Sequence, residues 1–173
     1  MSWQIYLTAL AIITGFFSPS IQIIAEEYKA YDYRVLANKD NGLTVKSVER
    51  LLNEGDKYFM KENYSLARKN FDKARELSML LLGFYNDLST SFKGLDARIP
   101  REMDSNSRKV LSLLTKANLR LVALFRKTDR TELAVPLLVE VVRISSPSNL
   151  DGQKAYKLLF ELGFVNTPFS GAK

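Results

Sequence analysis

Hydrophobic patterning divides the chain into three. From Ile5 to Phe17 nearly every residue is apolar, Ser18-Pro19-Ser20 interrupts the run, and Ile23-Ile24-Ala25 stands before the acidic pair Glu26-Glu27. Residues 26–43 are polar and tyrosine-rich (Tyr28, Tyr31, Tyr33), contain the turn pair Asn41-Gly42, and read as an extended lead-in. From Thr44 onward apolar residues recur at three- and four-residue steps, the period of one helix face. No segment reads as a strand, so the expected fold is all-α: about five helices in antiparallel hairpins over residues 44–164, with a short tail at 165–173.

The individual helices follow from their faces and their ends. Thr44 is a good N-cap for a first helix whose core face is Val45, Val48, Leu51, Leu52, Gly55, Tyr58 and Phe59. Lys61-Glu62-Asn63 is a short turn. A second helix begins near Tyr64-Ser65, places Ala67, Phe71, Ala74, Leu77, Leu81, Phe84 and Leu88 on one side, and stops by Gly94. Residues 94–107 read as the least regular stretch, with Pro100 as a breaker, and a third helix runs from about Ser107 to Lys127. Asp129 and Glu132 have capping-box spacing for a fourth helix, which Pro136 delays or kinks. Val135 to Ile144 is apolar nearly all round and predicts a helix buried on most sides. Ser148 and Asp151 can cap a fifth helix over 150–162, which Gly163 ends with Phe164 folding back on Leu159.

The series Leu51, Gly55, Tyr58, Ala67, Phe71, Ala74 has a steric logic: small residues where two helices cross, aromatics filling the space beside them. It resembles the tetratricopeptide repeat, with Leu51 in place of the usual Trp, Glu54 where Leu is common, and no Pro near Met79. A second copy lies 67 residues on, where Phe125, Ala134, Leu138 and Val141 align with Tyr58, Ala67, Phe71 and Ala74, and Val122 replaces Gly55. That offset is about two 34-residue periods, and the period between carries no signature. Two hairpins joined by elongated helices are therefore expected, with the fifth helix covering the open end of the stack. In that family a groove lined by the first helix of each hairpin takes the ligand. The resemblance implies Leu52, Asp56, Phe59 and Met60 as groove positions, then Lys116, Leu119, Ala123, Arg126 and Lys127. The family's carboxylate clamp needs Lys and Asn where Leu52 and Asp56 stand, so binding of a chaperone tail is not implied. As a whole the chain is also similar to small exported repeat proteins of cyanobacteria and plastids, which implies a periplasmic or thylakoid-lumen compartment.

Charge sharpens this picture in two places. Residues 1–25 contain no Lys, Arg, Asp or Glu and read as a secretory signal peptide, with an uncleaved membrane anchor and a buried helix as the alternatives. The usual basic residue ahead of the apolar core is missing. The formal charge of +6 is also localised. Between Arg98 and Arg130 there are nine Lys or Arg and three acids, while the remainder carries 16 of each sign. Lys109, Lys116, Arg120 and Lys127, spaced 7, 4 and 7, form a basic stripe on the third helix opposite Val110, Leu114, Ala117, Leu121, Leu124 and Phe125. A stripe of this kind suits an acidic or amphipathic protein segment, or an anionic membrane surface, or serves only as a solvated face. No nucleic-acid-binding motif is present.

Composition leaves little room for catalysis. There are no cysteines and no histidines, which removes thiol nucleophiles, imidazole bases and most transition-metal ligand sets. No glycine-rich phosphate loop occurs, the acid pairs Glu26-Glu27 and Glu102/Asp104 sit in polar stretches, and Ser78 and Ser112 have no base at helical spacing. No enzyme activity, cofactor, metal or small-molecule substrate is expected.

Overall fold

Five α-helices and one 3-10 turn make up the regular structure of residues 42–170, which is the part described by the computed structural model. The charge-free leader, the lead-in up to residue 41 and the last three residues lie outside the described residues. The helices are α1 (Val45–Met60), α2 (Tyr64–Ser91), α3 (Arg98–Lys127), α4 (Ala134–Ser145) and α5 (Leu150–Glu161), with the 3-10 turn at Thr131–Leu133. The fold is all-α, and among the described residues there is no strand.

Local chemistry sets most of the boundaries. Thr44 is extended, and its hydroxyl accepts the Ser47 N–H at 3.1 Å, capping α1. Asn63 does the same for α2 through the Leu66 N–H at 3.2 Å. Gly94 follows α2 with φ +85, a conformation that side chains with a Cβ disfavour. After α5, the Phe164 N–H reaches Leu159 O and the Gly163 N–H reaches Phe160 O, both at 3.0 Å, with Gly163 at φ +70. That is the Schellman stop expected there.

Three ends differ from expectation. α3 starts at Arg98 rather than near Ser107, and Pro100 is its third residue. First-turn N–H groups have no acceptor within the helix, so a proline there costs no hydrogen bond and starts the helix instead of breaking it. Pro136 is the third residue of α4, which starts at Ala134, the delayed start expected of it. The Asp129–Glu132 capping box does not form: Asp129 sits at φ +54 and α4 has no side-chain cap. For α5 the cap is Asn149, which accepts the Asp151 N–H at 3.4 Å, rather than Ser148 or Asp151.

α2 and α3 are 28 and 30 residues long and pack antiparallel along their length. Ser89 meets Asp104, Asn86 meets Ser107, Arg75 meets Asn118, and Arg68 lies over the Phe125 ring. Each step down α2 is matched by an equal step up α3, over about 31 Å at 1.5 Å per residue. α1 covers the first half of α2, and α4 covers the second half of α3 with α5 outside it. The core is one cluster running through Val48, Leu52, Ala67, Phe71 and Ala74 to Leu121, Val122, Leu138, Val141, Ala155 and Leu159.

Internal repetition is visible in the backbone. α1 ends at Met60 and α3 at Lys127, 67 residues apart. Glu62 (φ +59) and Asp129 (φ +54) are the same distance apart, and each is a left-handed non-glycine residue in the turn between helices. The next residue in each turn bonds back identically, Asn63 N–H to Tyr58 O at 3.0 Å and Arg130 N–H to Phe125 O at 2.8 Å. Ala67, Phe71 and Ala74 are buried, and so are Ala134, Leu138 and Val141. The period between the two copies is taken up by the second half of α2, its turn, and the first half of α3.

One core expectation is corrected. Phe84 and Leu88 continue the apolar face of α2, yet they are 45% and 44% exposed. α1 begins only at Val45, and among the described residues no helix covers that face further along α2. α4 is enclosed on most sides, as expected: Ala134, Leu138 and Val141 are fully buried, Val135, Leu137 and Val142 pack partly buried against the core, and Val139 is 44% exposed. It packs against both α3 and α5.

Candidate functional site

α3 is the central helix, and its surroundings leave it one open edge in its second half. Val110, Leu113, Leu114, Ala117, Leu121, Val122, Leu124 and Phe125 are buried, as are the polar Thr115 and Asn118. Arg120 marks one border of the open edge, where it meets α1. Thr115 marks the other, with its hydroxyl 3.1 Å from that of Ser145 on α4. Between these borders the exposed or half-exposed positions are Ser112, Lys116, Leu119, Ala123, Arg126 and Lys127. All five groove positions expected on α3 lie on this edge, and Lys109 lies on the same side of the helix two turns before Lys116.

α1 supplies the adjoining wall. Asp56 and Phe59 are half-buried, and Met60 is 84% exposed at the helix end. Phe59 packs edge-on against Tyr64, ring centroids 5.6 Å apart, which fixes it at the turn into α2. Leu52 is corrected. At 3% exposure it belongs to the core with Val48 and Gly55 and offers nothing to a partner.

The basic stripe and the α1 wall form one surface, joined by an ion pair that neither pattern indicates alone. Arg120 Nε donates to Asp56 Oδ1 at 2.6 Å, and Nη2 donates to Oδ2 at 2.7 Å. This bidentate fork is the geometry in which guanidinium holds a carboxylate most strongly. Both side chains stay part-exposed, at 33% and 39%. Among the described residues Lys109, Lys116, Arg126 and Lys127 form no ion pair. The face therefore presents free ammonium and guanidinium groups around Leu119 and Ala123, with Phe59 and Met60 at one end.

A second polar cluster has no pattern in the sequence that points to it. Arg75 on α2 donates from Nε to Asn118 Oδ1 at 2.9 Å and from Nη2 to Glu140 Oε2 at 2.7 Å, tying α2, α3 and α4 together. Glu140 is only 14% exposed, and the Asn118 amide nitrogen is buried without an acceptor. This cluster lies inside the packing and serves to fix the helices. The only signal was Asn118 itself, a polar residue on the apolar side of α3.

Elsewhere, a cleft of about 490 Å³ lies between α5 and the C-terminal tail, lined by Leu150, Tyr156, Phe160, Pro168 and Phe169 with Lys154 and Lys157 at its rim. The tail is held there by the Tyr156 hydroxyl, which donates to Thr167 O at 2.9 Å, and by Phe169 packed edge-on against Tyr156. Among the acids and serines considered for chemistry, Asp104 accepts from Ser89 at 2.8 Å and Ser78 donates to Ala74 O at 2.7 Å. Glu102 lies near Tyr85, whose hydroxyl is pushed above its ordinary value of 10, first by burial and then by that negative charge. Asp96 holds the start of α3: it accepts from the Arg98 backbone and guanidinium, and the latter bond chiefly keeps its carboxyl below the usual range. Among the described residues no group of acids is placed to hold a metal ion, and no helix is long and apolar enough to cross a membrane. No protein-family model, no curated protein and no solved structure matches the chain.

Proposed function

We propose that this chain is a non-enzymatic interaction module of the tetratricopeptide type, which binds an acidic, amphipathic segment of another protein along the α1–α3 face. The observation that carries this reading is the composition of that face. Unpaired Lys116, Arg126 and Lys127 surround half-exposed Leu119 and exposed Ala123, next to Phe59 and Met60. An amphipathic acidic helix satisfies both kinds of group at once, with apolar side chains on the centre and carboxylates on the flanking cations. The turns repeated at Glu62 and Asp129, with the buried small residues Ala67, Ala74 and Ala134, support the repeat type. The charge-free stretch 1–25 supports export to a periplasm or thylakoid lumen. Recovery of intact Met1 from membrane-bound protein by N-terminal sequencing would replace a cleaved leader by an anchor.

The test uses the full chain and a fluorescein-labelled amphipathic helical peptide with leucines on one face and flanking glutamates. Each exposed ion pair contributes about 0.2–1 kcal/mol, and reversal adds repulsion of similar size. Lys116→Glu with Lys127→Glu is therefore expected to weaken binding about tenfold or more at low salt. Phosphatidylglycerol vesicles form the comparison, because an anionic bilayer attracts the same cations by about 1 kcal/mol each. Peptide binding that the double reversal leaves unchanged contradicts the proposal. Vesicle binding lost in the double reversal, with no peptide binding by the parent, assigns the face to lipid instead.

A further inference from the structure

Among the cations of the α3 face, Arg120 differs from its neighbours in already holding a carboxylate. We infer that Asp56 is a resident competitor, occupying on Arg120 the place that a partner's carboxylate takes, so that exchange between the two makes Arg120 the residue that reads an acid in the bound segment. This rests on the α1–α3 face being the binding face.

The geometry supports exchange rather than a fixed clasp. The fork of two hydrogen bonds from Nε and Nη2 is the arrangement that any incoming Asp or Glu would adopt. Both partners remain part-exposed, so a second carboxylate reaches the guanidinium from solvent without unpacking the core. α1 does not depend on the pair for its place, because Val48, Leu52 and Gly55 are buried in its packing. An exposed pair also adds little to stability, so replacing one carboxylate by another is close to neutral. Asp56 then has a second effect: freed from Arg120, it repels the acidic ligand, and it keeps weakly acidic surfaces off the face.

The spacing defines what is read. Lys116 lies one turn before Arg120 and Lys127 two turns after it, about 6 Å and 10.5 Å along the helix axis. A partner helix with acids at i, i+4 and i+11 places one carboxylate opposite each cation, the middle one displacing Asp56.

The experiment measures fluorescence anisotropy of a labelled peptide with that acid spacing, titrated at low salt with the full chain and its variants. Asp56→Asn is expected to bind about two- to five-fold tighter, the effect of one exposed pair no longer in competition. Asp56→Glu, which keeps a competing carboxylate, is expected to bind like the parent. Circular dichroism checks that helix content is retained. In the unaltered protein, the Arg120 Nε–H resonance is expected to shift on peptide addition, which keeps the question decidable if Asp56→Asn does not fold. Equal or weaker binding by a folded Asp56→Asn, or an Arg120 resonance that does not move while peptide binds, overturns the exchange. Peptide bound equally by the parent and by Lys116→Glu overturns the binding face, and the exchange with it.

Discussion

Gly55 and Gly83 are both helical glycines, and the packing expects opposite outcomes from the same substitution. An ideal Cβ on Gly55 would overlap the ring of Phe71, which is itself buried and has nowhere to move. A Cβ on Gly83 meets nothing within 4 Å. Replacing a mid-helix glycine by alanine gains about 1 kcal/mol in backbone propensity. Gly83→Ala keeps that gain. At Gly55 the same gain is opposed by overpacking of about 1–3 kcal/mol, leaving a net loss of about 1 kcal/mol. The two variants should therefore differ by about 2 kcal/mol, or roughly 6–10 °C in melting temperature for a domain of this size. Thermal unfolding followed by far-UV circular dichroism measures the difference. Shortening the obstacle supplies a control: in a Phe71→Leu background, Gly55→Ala should cost about 1 kcal/mol less than in the parent. A Gly55→Ala protein that melts at or above the parent would refute the close packing of α1 on α2.

Two further outcomes follow from the backbone and from the α2–α3 pairing. Glu62 and Asp129 hold left-handed conformations that cost a residue with a Cβ about 1–2 kcal/mol. Glu62→Gly and Asp129→Gly should each raise stability in urea by about 0.5–1 kcal/mol after glycine's own entropy cost, and a loss in both would mean that the turns differ from those described. Tyr85 should titrate above the ordinary tyrosine value when followed by ultraviolet absorbance, and Glu102→Gln should lower it, since that charge is the smaller of its two causes. The unfolded chain ionises first, near pH 10, so Tyr85 contributes stability that is complete below that pH and is lost as pH rises toward its folded value. A Tyr85 that titrates normally would show that the α2–α3 pairing does not extend to Glu102.

How far the sequence could be read depended on whether the deciding interaction was local. Thr44 capping α1, the left-handed Gly163 with its two backbone bonds, and the buried face of α3 all follow from residues within a turn or two of one another. The two series of buried positions 67 residues apart were legible because Ala67 and Ala134, each followed by large apolar residues at helical spacing, leave a local pattern. Pro100 reads as a breaker because proline's meaning reverses within a single turn of the helix start, whereas Pro136 has the delaying role its position suggests, with α4 opening at Ala134. Periodicity also could not separate Leu81, which is buried, from Phe84 and Leu88, which lie on the same face past the point where α1 begins. At the candidate site the charges on α3 were visible, but not that Asp56 holds Arg120 from 64 residues away, nor that Leu52 turns inward. Both depend on where α1 sits against its neighbours, which no local pattern encodes.

Hydrogen exchange followed by mass spectrometry, with and without the acidic amphipathic peptide, tests the central claim most directly. It reports on every stretch of the full chain at once. The account expects slowed exchange in the last turns of α1, from Asp56 to Met60, and along Lys116–Lys127 of α3, with α5 and the tail cleft unchanged. Slowing confined to Leu150–Phe169, or a bound peptide that leaves α1 and α3 unaltered, would contradict it.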